Sequence, residues 1–271
     1  FQFTGTEFYV MAKTEVGTKY TSLLDELKGL TNEISDMFSS TESNLKINYD
    51  VYMPEYLNVK INNKYGDVYM NTHKGDFDLN LTYGDFKANK LLGRTALEIN
   101  FGDCFIYEVN NAKLITSYSE VQIKKAKQLN IDSKSAKLNL DEVDVLKVIS
   151  KRDKYYVDRL ADFFGETSFS EFWVYNLTSQ VNLNMRYGHL KLESIKDSFS
   201  YIILTARYTD LDFFIASTAS FSYEILQKNA TIIIPPDARR NDDVTMETDS
   251  KLMKHTGTVG KIPPKSQIKI D

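Results

Sequence analysis

Tyr65-Gly66-Asp67-Val68 recurs as Tyr83-Gly84-Asp85-Phe86 and as Phe101-Gly102-Asp103-Cys104. The motif continues as Tyr118-Ser119-Glu120-Val121 and weakens at Ser135 and Arg152. It returns as Phe169-Ser170-Glu171-Phe172, Tyr187-Gly188-His189-Leu190 and Tyr208-Thr209-Asp210-Leu211. The anchors lie 18, 18, 17, 17, 17, 17, 18 and 21 residues apart. A near-constant period of this kind settles the architecture before any local propensity does.

Aligned on the anchor, the repeats form columns. Three residues after it stand Val68, Phe86, Cys104, Val121, Leu138 and Tyr155, and five after it Ala88, Ile106, Ile123, Leu140 and Val157. Further apolar columns fall eight after (Leu91, Val109, Leu160), four before (Ile61, Leu79, Leu97) and six before (Val59, Phe77, Leu129). The residue just before the anchor is always polar. Apolar and polar positions thus alternate with period two, the pattern of strands with one face buried. The parity resets at the Gly-Asp step, where glycine is expected to supply the unusual backbone angles of a corner.

A unit of 17–18 residues cannot bury its own apolar face, but stacked units can. In-register parallel strands about 4.8 Å apart turn each column into an interior ladder. Each buried side chain then contributes about 1.5–3 kcal/mol of transfer free energy. The Leu-x-x-Leu-x-Leu-x-x-Asn pattern of a leucine-rich repeat is missing, and the unit is too short for two helices. The sequence therefore predicts an all-β fold, a single-stranded parallel β-helix of about nine or more coils running from Val59 to Phe213. An open β-helix needs caps. Residues 1–56 are expected to form an N-terminal cap, with strands at Phe8–Met11 and Ile47–Tyr52 around an amphipathic helix (Leu23, Leu27, Leu30, Ile34, Met37). Residues 57–215 are the β-helix; 216–271 hold irregular strands and a polar loop, 237–250, that pack on the last coils, all as one structural domain.

Composition narrows the function. Thirty-three Lys and Arg against 37 Asp and Glu give a net charge of −4, which argues against a general polyanion-binding field and against a nucleic-acid partner. One cysteine excludes an intrachain disulfide and a Cys-based zinc site, and three scattered histidines make no metal centre. No apolar run reaches the ~18 residues of a membrane-spanning helix. Each motif glycine belongs to the repeat, so no phosphate-cradling loop and no cofactor is expected. The chain opens on Phe1 with no leader-like stretch, so a removed signal or a trimmed start is expected upstream. Oligomeric state is not encoded in any of these patterns.

The lead-in Ile47-Asn48-Tyr49-Asp50-Val51-Tyr52-Met53-Pro54 and the rung Asn63-Lys64-Tyr65-Gly66-Asp67-Val68 resemble a family of secreted, single-domain β-helix proteins of Gram-negative bacteria. That family carries an adhesin label and is a domain of unknown function. The similarity spans about residues 45–215 and departs at Ser135 and Arg152, where the aromatic anchor is lost. It implies a β-helix, a secreted, periplasmic or cell-surface location, and adhesion to a glycan or cell-surface protein. It brings no catalytic residues.

Three candidate chemistries remain. Asp67, Asp85, Asp103 and Glu120 occupy one corner of four consecutive coils and form a calcium candidate, although Asp after Gly is ordinary turn chemistry and no calcium-roll nonapeptide is present. Four residues after the anchor, on the outward parity, Tyr156 and Trp173 fall on adjacent coils, with Tyr175 and Lys191 close by. Flat aromatics flanked by polar groups are what a sugar ring or a protein partner uses, and also what a plain cross-strand ladder looks like. A polysaccharide lyase or glycosidase is the alternative, with Asp153 and Glu171, or Glu171 and His189, as the neighbouring acid–base pairs. The coils carry no insertions to wall a cleft, so no catalytic residue is assigned. Cys104 is expected as an inert inward thiol, His73 as an edge residue of the first coil, and Lys124, Lys125 and Lys127 as a solvated corner.

Overall fold

The structure, a computed structural model, describes residues 2–4, 9–15, 46–234, 238–241, 244–245 and 252–271. The amphipathic stripe Leu23–Met37 lies outside the described residues. The chain divides into two compact units, Gly5–Pro54 and a larger one formed by Phe1–Thr4 with Glu55–Asp271. In chain order, β1 (Gln2–Thr4) belongs to the larger unit, and β2 (Tyr9–Glu15) and β3 (Lys46–Tyr52) to the smaller, where they pair antiparallel.

The larger unit is a parallel β-solenoid of about nine turns, as the period requires. Its coils are built by β4 (Asn58–Lys64), β5 (Val68–Met70), β6 (Phe77–Thr82), β7 (Phe86–Asn100) and β8 (Cys104–Ser117). They continue through β9 (Glu120–Lys134), β10 (Lys137–Lys151), β11 (Lys154–Ser168), β12 (Glu171–Ile195) and β13 (Tyr201–Ile215). Each coil pairs in parallel with the next, Cys104 against Val121, Val121 against Leu138, Leu138 against Tyr155 and Tyr155 against Phe172. Among the described residues there is no helix.

The expected columns are the core. Phe86, Ile106, Leu138, Tyr155, Phe163 and Phe172 are fully buried. A sixth inward column, two residues before the anchor, was not read from the sequence. It begins apolar with Leu81 and Ile99, turns polar through Thr116, Ser133, Ser150 and Thr167, and ends at Met185. Where an 18-residue coil meets a 17-residue one, the spare residue is absorbed in a local register shift, at Leu91/Arg94 and again at Leu160/Asp162. The pairing on either side stays in step, so the columns survive the change of period.

The corner differs from expectation in one respect. The left-handed residue is not the motif glycine but the anchor before it: Tyr65, Tyr83, Phe101, Tyr118, Ser135, Arg152, Phe169, Tyr187 and Tyr208 all have φ between 52° and 61°. At Gly84 and Gly102 glycine is required for space instead. A Cβ on Gly84 would lie 2.1 Å from the Gly66 carbonyl oxygen, and one on Gly102 1.9 Å from that of Gly84. The left-handed residue places two outward side chains in succession, which is how the parity resets.

Both ends of the solenoid are covered by the chain itself. β1 pairs antiparallel with β4. At the other end come β14 (Phe221–Lys228), β15 (Arg239–Arg240), β16 (Val244–Thr245), β17 (Leu252–Val259) and β18 (Ser266–Ile270). β18 lies between β13 and β14, parallel to both, and β17 closes antiparallel on β14. The expected polar loop thus carries two short strands, β15 and β16, which pair with β17.

Candidate functional site

The in-register stack turns each outward column into a row of side chains. The anchor row is a ladder of rings: Tyr65, Tyr83, Phe101 and Tyr118 stack at centroid distances of 5.3, 5.0 and 5.1 Å, and Phe169, Tyr187 and Tyr208 at 4.8 and 4.9 Å. All seven are exposed, Tyr208 at 78% and Phe101 at 45%. Sequence reading used these residues to find the period and missed that they form a surface. The signal was present in the alternation of Tyr and Phe at positions where a turn ordinarily takes Asn or Gly.

The predicted Tyr156 and Trp173 do meet. They pair across β11 and β12 and stack at 4.8 Å with an interplanar angle of 6°. The far side of Trp173 is met edge-on by His189, at 6.1 Å and 82°, a partner the sequence did not suggest. His189 Nε2 is held 2.9 Å from Asp212 Oδ2. Tyr175 is exposed, as its parity predicts. Lys191 is committed elsewhere: its ammonium sits 2.9 Å from Glu193, which raises its pKa, and 5.9 Å from the Phe214 ring. An open depression runs beside this row along Lys87, Phe105, Glu120 and Gln122.

The acidic row is placed as predicted, but three of its four carboxylates are used by the fold. Asp67 Oδ1 accepts the Asp85 N–H at 2.9 Å, and Asp85 Oδ1 accepts that of Asp103 at 2.9 Å. Glu120 binds Lys137 at 2.8 Å. Among the described residues no group of three or more His, Cys, Asp and Glu side chains gathers to hold a metal ion.

The pairs considered for catalysis are not formed. Asp153 takes the position held by glycine in other coils and turns inward, 1% exposed. Ser133 Oγ and Ser150 Oγ donate to its Oδ2 at 2.7 and 2.6 Å, the Lys151 N–H to the same oxygen at 2.9 Å, and the Ala136 N–H to Oδ1 at 2.8 Å. Tyr155 completes the cluster, its hydroxyl 2.6 Å from Ser133 Oγ. Burial, reinforced by the Asp153 charge, holds that phenol far above its ordinary pKa. The polar inner column and Asp153 thus satisfy one another, as a buried carboxylate demands. Glu171 faces Lys154 at 3.6 Å, not Asp153 or His189. Cys104 is buried, and burial raises its thiol pKa out of the reactive range. Lys124 and Lys125 engage Asp141 and Glu142 on the next coil at 2.8 and 3.7 Å.

Fold and surface together define a parallel β-solenoid with two outward rows of stacked aromatic rings. No family model, curated protein or solved structure matches the chain.

Proposed function

We propose that the protein is a non-enzymatic, adhesin-type binding protein that presents a rigid solenoid face to glycan or to a cell-surface protein, with Tyr156, Trp173 and Tyr175 at the contact. The observation that carries this reading is the stacked Tyr156–Trp173 pair, fixed in the outward row by in-register strands and closed by His189. A pre-organised aromatic surface loses little conformational entropy on binding. The pair offers ring edges, an indole N–H and one open tyrosine face, which suit the mixed polar and apolar surface of a sugar or a peptide. The neighbouring carboxylates Glu171 and Asp212 are held by Lys154 and His189, which favours retention of a ligand over its cleavage. A secreted or envelope setting in a Gram-negative bacterium rests on the resemblance of the Tyr49–Val68 stretch alone.

Trp173 is the single tryptophan, so its fluorescence reports this face directly. On a glycan and cell-surface-protein array, a ligand is expected to be retained, to perturb that fluorescence, and to be recovered uncleaved. Trp173→Ala should weaken binding by roughly tenfold, about 1.4 kcal/mol, and leave the protein folded, with a melting temperature lower by only a few degrees through loss of the stack on Tyr156. Release of reducing or unsaturated sugar would replace this reading with that of a polysaccharide-cleaving enzyme.

A further inference from the structure

The exposed aromatic ladder is interrupted on two adjacent coils. Ser135 and Arg152 occupy its missing places, with the same left-handed backbone (φ 52° and 61°) as the rings on either side. The strands around them stay in register, Ser117 against Lys134, Lys134 against Lys151 and Lys151 against Ser168. Tyr118 and Phe169 therefore face one another across three coil steps, about 14 Å at about 4.8 Å per step. The side of Tyr118 away from Phe101 looks onto the short side chain of Ser135. Four residues along the same coil, Asn139 pairs with Tyr156, so the side of Tyr156 away from Trp173 looks onto Asn139. Coil β10 is thus a low strip, with a tyrosine face toward it from the coil on each side.

The strip is also basic. Lys134 and Lys151 flank the ladder on one side, Lys137 and Lys154 on the other, and Arg152 stands within it. Glu120 and Glu171 neutralise Lys137 and Lys154, at 2.8 and 3.6 Å. Lys134, Lys151 and Arg152 have no ion-pair partner among the described residues, and all three are exposed. Three unneutralised cations beside an open aromatic face, in a chain of net charge −4, form a local and not a general anion site.

We infer that the gap in the ladder at Ser135 and Arg152 is a subsite for an acidic saccharide, one ring of which stacks on Tyr118 over Ser135 while its carboxylate or sulfate is held by Arg152, Lys134 and Lys151. This rests on the reading of the protein as a binder and adds the ligand's chemical class and a second place of contact. The planar guanidinium of Arg152 suits the two oxygens of a carboxylate or sulfate group. The interruption between Tyr118 and Phe169, about 14 Å at about 4.8 Å per coil step, leaves room for a puckered sugar ring on the open face of Tyr118. The cations span only two coils, which fits a substituent on a ring better than a continuous phosphate backbone.

Calorimetric titration of the whole protein with a galacturonate hexamer, a heparin hexasaccharide, neutral maltohexaose and a single-stranded oligothymidylate tests this. At least one acidic hexamer should bind, more weakly as salt rises, and at least roughly tenfold more tightly than maltohexaose. Which of the two binds tells carboxylate from sulfate recognition. Arg152→Ala, and Lys134→Ala with Lys151→Ala, should each lower that affinity roughly tenfold. Ser135→Tyr should abolish it while leaving the melting temperature unchanged or higher, because the neighbouring coil already carries Tyr118 at the same φ and the new ring extends the stack. Unchanged binding by both Ser135→Tyr and Arg152→Ala overturns the assignment. So does equal affinity for maltohexaose, tighter binding of the oligothymidylate, or no binding of either acidic sugar. Loss of a neutral glycan in Trp173→Ala, with Ser135→Tyr and Arg152→Ala silent, refutes this subsite and leaves the proposed binding function standing.

Discussion

Tyr83 shows how one residue type solves two problems at a corner. Its φ of 56° carries a steric penalty of about 1–2 kcal/mol for any residue with a Cβ. Its ring stacks on Tyr65 and Phe101, and each such contact contributes about 0.5–1.5 kcal/mol. The ladder offsets the strain, which is why Tyr and Phe stand where glycine would be cheaper locally. Alanine at this place keeps the penalty and loses the stack; glycine loses both. Tyr83→Ala should therefore be less stable than Tyr83→Gly by about 1 kcal/mol in urea unfolding, the reverse of the order expected inside a strand. The ordinary order would mean that the left-handed corner is not strained. His73 poses a different problem. The sequence placed it at an edge, yet it is 1% exposed, stands in the column that continues with Leu91, and has no partner on Nε2. Burial lowers its pKa below the ordinary 6.5, against the opposing pull of the Asp76 and Leu57 backbones and of Glu55. The unfolded chain then binds the proton first as pH falls. Stability contributed by neutral His73 is complete above 6.5, declines as pH drops through that value, and stops declining below the folded pKa. His73→Leu should flatten this part of the pH profile and raise stability by about 1–3 kcal/mol, read as the difference between the two proteins' urea midpoints on either side of that pH. An unchanged slope would assign the acid sensitivity to other groups.

At the scale of elements, β18 is the piece the rest of the solenoid depends on for its end. It pairs Gln267 with Tyr201 and Ile268 with Ile202 on one side, and Ser266 with Phe221 on the other. The last backbone groups of the chain continue the ladder, Asp271 exchanging bonds with Leu204 and Ala206 at 2.9 and 2.8 Å. Without β18 the parallel edge of β13 and the apolar side chains Ile202, Leu204 and Phe221 are uncovered, and a bare edge of this kind recruits other chains. Truncation after Pro264 should give an aggregating or multimeric protein in size-exclusion chromatography, and a peptide of residues 265–271 supplied in trans should restore the monomer-sized peak; a truncated chain that runs unchanged would show that β14 closes directly on β13. This strand also marks the limit of what could be read beforehand. The coils were legible because matching letters recur at 17 or 18 residues, and the core columns and the Tyr156–Trp173 pair followed from the same alignment. Ser266–Ile270 has alternating polarity but no periodic partner, and the 21-residue step before Tyr208 had already broken the frame. The sequence placed the tail against the last coils and had no means of choosing the gap it fills. Asp153 was misplaced for a related reason: the position after the anchor is glycine in the most regular coils, and the small Ser119, Ala136 and Ser170 that replace it elsewhere do not by themselves mark it as inward. The clue lay in a second column, where Ser133 and Ser150 replace aliphatic residues on the same coils.

For the solenoid as a whole, stability is close to a sum over neighbouring coils, because each coil touches only the one before and the one after. The consequence of a given substitution should then depend on how many neighbours its coil has. Leu138 is fully buried in β10 and is paired on both sides, with Val121 and with Tyr155. Val68 stands in the same column near the first coil and is paired on one side only, with Phe86. An aspartate in either place brings an uncompensated charge into an apolar interior, a penalty of about 3–5 kcal/mol if the coil stays formed. At Val68 the first coil can fray, which exposes the charge and sacrifices one interface. At Leu138 the same escape separates the stack into two halves and sacrifices two interfaces, a loss comparable with the about 5–15 kcal/mol that holds a typical domain together. Val68→Asp should therefore remain folded around Trp173, with a cooperative urea transition of slightly smaller slope. Leu138→Asp should be unfolded or aggregated, or show two transitions. Equal behaviour of the two variants would mean that coupling reaches beyond adjacent coils, and a Leu138→Asp protein of native stability would mean that this column does not face the core.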